Sequence, residues 1–181
     1  IQTLALGLLE LKIKPGDKVA IISGNRPGWN FVDFAVQIIG GVTVPMYPTI
    51  TIEDYDYIFK DAEVKFVFCE NEELYLKVKA ASKGNKTIKG IYTFDPVADV
   101  ERWTAVKELG EGKDASVLKP LMDAVQPNDL LTLIYTSGTT GRPKGVMLTH
   151  HNIVSNIKSL VRGNFFDLLP NDRALSFLPL C

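Results

Sequence analysis

Cysteine and histidine are both scarce: 181 residues hold two of each. Cys69 and Cys181 cannot build a disulfide framework, which points to a reducing, cytoplasmic setting. His150 and His151 are neighbours, and adjacent positions on a helix diverge by about 100°, a poor arrangement for one metal ion. They are expected simply to start a helix. Net charge is nearly absent as well, since 20 Lys plus Arg face 21 Asp plus Glu. A general nucleic-acid binder needs a surplus of Lys and Arg to neutralise phosphates, so that class is excluded. No apolar run approaches the ~20 residues that span a bilayer. No Gly-x-Ser-x-Gly turn supports a serine hydrolase. What remains is 46% hydrophobic and 23% charged, with a mean hydropathy of +0.08. That is too apolar to stay disordered, and the length fits one soluble domain of roughly 100–200 residues.

Helical and strand patterns alternate from the start. Ile1 to Leu11 reads as an amphipathic helix with Leu4, Leu8 and Leu11 at helical spacing. Lys14-Pro15-Gly16-Asp17 is a turn, and Lys18 to Ser23 a short apolar strand. Further strands are expected at Val42 to Met46, Lys65 to Cys69 and Lys89 to Phe94. Helices fall between them at Trp29 to Gly40, Ile52 to Ala62 and Glu72 to Ser82, with Thr51 or Thr49 as the cap of the second. Trp29, Phe31 and Phe34 lie at spacing that reads as core rather than as a ligand tunnel. Cys69, ending an apolar strand, also reads as core. Glu70, Glu72 and Glu73 with Lys77, Lys79, Lys83, Lys86 and Lys89 read as a solvated helix face suited to the helix dipole.

Short apolar strands separated by helices predict an α/β fold, a mostly parallel sheet with helices on both faces. Residues 1–94 form the alternating part, 95–129 a weakly patterned connecting region, and 130–181 a strand, a loop and the helix after it. Within the connecting region Trp103 to Leu109 has a helical pattern and Gly110 to Asp114 reads as loop. Ile1 starts inside a helix pattern, and Ala174 to Cys181 reads as a core strand with no partner after it, so a piece of a longer chain is expected.

One stretch carries chemistry. The apolar strand Leu130 to Tyr135 runs into Thr136-Ser137-Gly138-Thr139-Thr140-Gly141-Arg142-Pro143-Lys144-Gly145. Gly138 and Gly141 let backbone amides approach an anion closely. Thr136, Ser137, Thr139 and Thr140 add hydroxyl donors, and Lys144 adds a full positive charge at the loop's exit. The usual spacing of Gly, four residues, Gly-Lys and Ser or Thr is absent, as is the three-glycine dinucleotide fingerprint. General rules alone therefore leave a plain Thr/Gly loop open beside a phosphate cradle.

The order of residues from Tyr135 to Val146 resembles the signature phosphate loop of the adenylate-forming (acyl-activating) enzyme superfamily. Met147-Leu148-Thr149-His150 with Asn152 is similar to that family's continuation into its next helix, and Ser176-Phe177-Leu178-Pro179-Leu180 to its next core motif. Upstream, Gly16 to Ile21, Asn25-Arg26-Pro27 with Trp29, Gly40 to Thr49, Tyr57-Ile58 and Lys60 to Glu63 resemble long-chain fatty acid–CoA ligases. The resemblance implies the N-terminal portion of such a ligase, with a C-terminal lid domain absent and the piece inactive by itself. It implies ATP, Mg²⁺ and coenzyme A as the small molecules, with a fatty acid as the acid substrate. ATP phosphates would be held by Thr136, Ser137, Gly138, Thr139, Thr140, Gly141 and Lys144, and Thr136 would touch the Mg²⁺. Peripheral membrane contact of the parent stays open. So do two alternatives: an adenylating enzyme for an acetyl, aryl or amino acid, and a non-catalytic α/β module that binds a nucleotide or a protein.

Overall fold

The computed structural model describes residues 1–136, 141–163 and 171–173. Six strands form one sheet in the order β4-β3-β1-β2-β5-β6. They are β1 (Lys18–Ile22), β2 (Val42–Pro45), β3 (Val64–Cys69), β4 (Gly90–Thr93), β5 (Leu130–Thr136) and β6 (Lys144–Thr149). The first five run parallel, and β6 turns back antiparallel on β5.

Side chains alternate across a strand, so β1, β3 and β4 each feed two cores. Val19 and Ile21 of β1, with Phe66, Phe68 and Tyr92, face the helices α1 (Gln2–Glu10), α2 (Pro27–Ile38) and α5 (Trp103–Leu109). Ala20 and Ile22, with Val44, Val67 and Leu133, face α3 (Ile52–Asp61) and α4 (Glu72–Ala81). Helices on both faces explain why the strands read as unbroken apolar runs rather than alternating ones.

Local chemistry sets the helix starts. Pro27 occupies the first turn of α2, where its missing N–H costs nothing. Thr51 caps α3 in a box: its hydroxyl oxygen accepts from the Asp54 N–H at 3.1 Å, and the Asp54 carboxylate reaches back to the Thr51 N–H. Asn71 caps α4 by accepting from the Leu74 N–H at 3.1 Å. Between Arg102 and Asp129 the chain forms α5, a 3₁₀ turn at Ala115–Val117 and α6 (Leu118–Ala124), and Val106 and Leu118 are buried against the first core.

Three expectations differ from the structure. Trp29 is buried, but Phe31 and Phe34 are 41% and 49% exposed. The buried stripe of α2 runs through Trp29, Val32, Ala35 and Val36, and the two phenylalanines lie off it. Glu70 does not belong to a solvated helix face, because Arg26 and the loop after β1 enclose it. Lys144 is not merely a loop exit. It begins β6, an unexpected strand paired with β5, and the helix α7 (His150–Arg162) then starts at the histidines as expected. The expected strand at Ala174 to Cys181 lies outside the described residues.

Candidate functional site

In open parallel sheets, loops leaving the carboxyl ends of the strands converge where a ligand can sit. Two such places occur here. Between β1 and β3 the chain leaves toward opposite faces, α2 on one and α4 on the other. That crevice is filled by protein. Arg26 lies 3.0 Å from Glu70 and 2.9 Å from Asp95, with its guanidinium 5.4 Å from the Phe94 ring centre. The Gly24 N–H donates to Glu70 at 2.6 Å, and the Ser23 hydroxyl at 3.2 Å.

The second place, beyond β2 and β5, is open. A cleft of about 550 Å³ separates Met46, Tyr47 and Ile50 after β2 from Thr136, Gly141 and Pro143 at the mouth of the β5–β6 hairpin. Its wall is held by the buried Tyr55, whose hydroxyl donates to the Tyr47 carbonyl at 2.7 Å. The hairpin brings two of the sequence candidates together: Thr136 and Lys144 are direct cross-strand partners, both exposed. Directly opposed residues project from the same face of a sheet, so the two side chains leave the hairpin on one side, with Thr136 lining the cleft. Gly141 has a φ of +93° and nothing within 4 Å of where a Cβ would be. It lines the cleft, with open space at its Cβ position among the described residues, and holds a conformation that favours glycine. Ser137, Gly138, Thr139 and Thr140 lie outside the described residues.

Both stems of the hairpin are tied to α3. The Tyr135 hydroxyl donates to Asp61 Oδ2 at 2.6 Å, and the Arg142 guanidinium lies 5.5 Å from the Tyr57 ring centre. Burial, reinforced by the Asp61 carboxylate, pushes the Tyr135 phenol well above its ordinary range, so it stays a donor throughout the neutral range. Tyr135 itself stands opposite Gly145. A Cβ on Gly145 would lie 3.0 Å from the Tyr135 Cζ, a tight contact that glycine avoids where the ring crosses the hairpin.

The remaining candidates are structural. Burial pushes the Cys69 thiol up to about 12, which keeps it protonated and inert near neutrality. His150 and His151 start α7, whose first turn is capped by the Thr149–Asn152 box. Their N–H groups donate to the Asp129 and Pro127 carbonyls. Among the described residues no three His, Cys, Asp or Glu side chains gather as a metal site, and no helix is long and apolar enough to cross a membrane. The sequence reading missed the ties of Tyr135 and Arg142 to α3. Its only signal was an aromatic residue on each of the two sides, which carries no pairing information.

The architecture defines a class: a parallel α/β domain that carries its open cleft at the carboxyl ends of the strands, beside a hydroxyl- and lysine-bearing hairpin. Comparison with known proteins gives that class a family. The chain belongs to the AMP-binding enzymes, whose family model matches residues 1–181. It is 37% identical over 183 residues to the long-chain-fatty-acid–CoA ligase FadD15 of Mycobacterium tuberculosis, covering 99% of this chain and 30% of that protein. It is 36% identical to the human long-chain-fatty-acid–CoA ligase 1, covering 93% of this chain and 26% of that one. The inhibitor-bound N-terminal domain of FACL13 from Mycobacterium tuberculosis superposes with a TM-score of 0.72 at 26% identity, covering 98% of this chain and 42% of that one. The chain therefore spans about 30% of the length of the curated relatives it matches.

Proposed function

We propose that the protein to which this chain belongs is an ATP-dependent acid–thiol ligase acting on long-chain fatty acids. A carboxylate oxygen of the acid attacks the α-phosphorus of ATP; the new acyl–phosphate bond forms as the bond to pyrophosphate breaks. The thiol of coenzyme A, losing its proton, then attacks the acyl carbon and expels AMP. Two anions must meet in the first step, so catalysis consists of positioning them and offsetting charge on the departing pyrophosphate.

The observation that carries this reading is the cross-strand pairing of Lys144 with Thr136, which lines the cleft. Lys144 supplies a positive charge for the β- and γ-phosphates, and the open space at Gly141 allows their close approach. Ser137, Gly138, Thr139 and Thr140 supply the remaining donors of the sequence. Mg²⁺, which keeps several waters and binds mainly through substrate phosphates, would travel with ATP and shield its charge. Thr136 offers it one hydroxyl oxygen, and a fuller ligand set is not required of this chain. The fatty-acid assignment draws on the named relatives, and the hairpin alone serves an acetyl, aryl or amino acid equally well.

The test is ATP–pyrophosphate exchange by the full-length protein with palmitate, acetate, benzoate and an amino acid. Exchange is expected with palmitate and to fall at least tenfold in Lys144→Ala, in line with the loss of one charge aimed at the transition state. Gly141→Val should also slow exchange. Exchange with another acid alone would reassign the substrate. Normal rates in both variants would move the phosphates elsewhere, and ATP binding without exchange would favour the non-catalytic module.

A further inference from the structure

We infer that helix α3 is the positioning element of the hairpin, gripping both of its stems through Asp61 and Tyr57. This rests on the reading of the hairpin as a nucleotide phosphate site. The grip has two halves. On the entering strand, Tyr135 donates to Asp61 Oδ2 at 2.6 Å, one residue before Thr136. On the leaving side, the Arg142 guanidinium lies 5.5 Å from the Tyr57 ring centre, two residues before Lys144. Tyr57 and Asp61 are four residues apart, hence stacked on one face of α3, and the Tyr57 hydroxyl also points to Asp61 Oδ1 at 3.4 Å. The helix is itself immobilised, because Tyr55, Ile58 and Phe59 are buried in the second core. Thr136 and Lys144 are thereby referred to one rigid element rather than to each other alone, the arrangement that holds a site within a fraction of an ångström.

Gly145 belongs to the same device. Tyr135 crosses the hairpin over Gly145, and a Cβ there would sit 3.3 Å from the Tyr135 hydroxyl oxygen. Alanine there makes the ring give by a few tenths of an ångström, which strains the bond to Asp61. The glycine following Lys144 therefore gives the ring its room for the tie to α3, independently of any approach to phosphate. Neither Asp61, Tyr57 nor Gly145 has to touch substrate; they act through the hairpin.

The full-length protein and its Tyr135→Phe, Asp61→Ala, Asp61→Asn and Gly145→Ala variants test this by two readouts. The first is amide hydrogen exchange of peptides spanning 130–149. The second is the KM for ATP against kcat in ATP–pyrophosphate exchange. Tyr135→Phe, Asp61→Ala and Gly145→Ala are expected to speed amide exchange in the hairpin about fivefold or more, as loss of one hydrogen bond predicts, with β1 to β4 unchanged. The same three should raise the KM for ATP by a similar factor with a smaller effect on the KM for the acid. Asp61→Asn keeps an acceptor for Tyr135 and should restore most of both. Unchanged hairpin protection in Tyr135→Phe and Asp61→Ala overturns the grip. Lost protection in a protein whose wild type shows no ATP–pyrophosphate exchange upholds the grip and overturns the nucleotide reading. Lost protection with an unchanged KM for ATP overturns the positioning role.

Discussion

Glu70 lies 3.0 Å from Arg26 and joins the loops that leave two adjacent parallel strands, β3 and β1. The same carboxylate accepts the Gly24 N–H and the Ser23 hydroxyl, while Arg26 extends to Asp95. The crevice where many α/β sheets bind a ligand is thus closed by a partly buried ion-pair network, and the open cleft is displaced to the β2–β5 side.

Removing Arg26 leaves two carboxylates facing each other beside Phe94. Arg26→Ala should lower stability by about 2 kcal/mol, between the values for exposed and fully buried pairs. Glu70→Ala should cost a similar amount, since it removes the partner of Arg26 and the acceptor of the Gly24 N–H. Urea unfolding of both variants checks this; a loss smaller for Glu70→Ala than for Arg26→Ala would show that the loop amide finds another acceptor.

The first and fifth helices meet backbone to backbone. A Cβ on Gly7 would overlap the Val106 carbonyl, and one on Gly110 would overlap the Thr3 carbonyl. Gly7→Ala must push α1 away from α5 and open the core around Leu4, Leu8 and Val106. The expected cost is about 3 kcal/mol, at the upper end for overpacking, even though alanine is the better helix former. A thermal midpoint equal to or above wild type would mean that the two helices are not in close contact.

Asp33 is a half-buried carboxyl on α2 whose pKa is raised from its ordinary 3.8 by burial, against weaker help from Gln37 and Thr43. The folded state therefore holds the proton more tightly than the unfolded state. The contribution of this group is full below the unfolded value and is lost as pH rises through the folded one. Near neutrality the carboxylate is a net cost, although Gln37 donates to it at 2.7 Å. Asp33→Asn keeps an acceptor and removes the charge. It should raise the thermal midpoint near neutrality by about 2 °C or more, with the gain vanishing below about pH 4. Thermal melts at both pH values decide it, and an equal gain at each would point to packing rather than charge.

Much of the fold was legible because period and punctuation are local. The alternation of apolar runs with helices marks four strands and three crossover helices, and of the two caps open in the sequence, Thr49 and Thr51, the structure uses Thr51. The β6 strand was not legible, because Lys144 to Thr149 has no clean alternation and becomes a strand only by pairing with β5. Glu70 misled for a similar reason: its neighbours Glu72 and Glu73 mark a helix start, and only the approach of the β1 loop separates it from them. Phe31 and Phe34 read as core on their spacing from Trp29, but positions two and five residues on fall on the far side of a helix, away from the buried Trp29, Val32, Ala35 and Val36.

For the site, the sequence by itself supplied the candidate donors: a run of hydroxyls, glycines and one lysine whose order is specific enough to name a family. Chemistry of that kind is written in residue identity and spacing, and survives without coordinates. Tertiary structure alone decided that Thr136 and Lys144 stand opposite each other, that Gly145 yields its face to Tyr135, and that Asp61, 74 residues away from Tyr135, holds the entering strand. Pairings over such separations depend on how the sheet orders its strands, and no local pattern encodes that order.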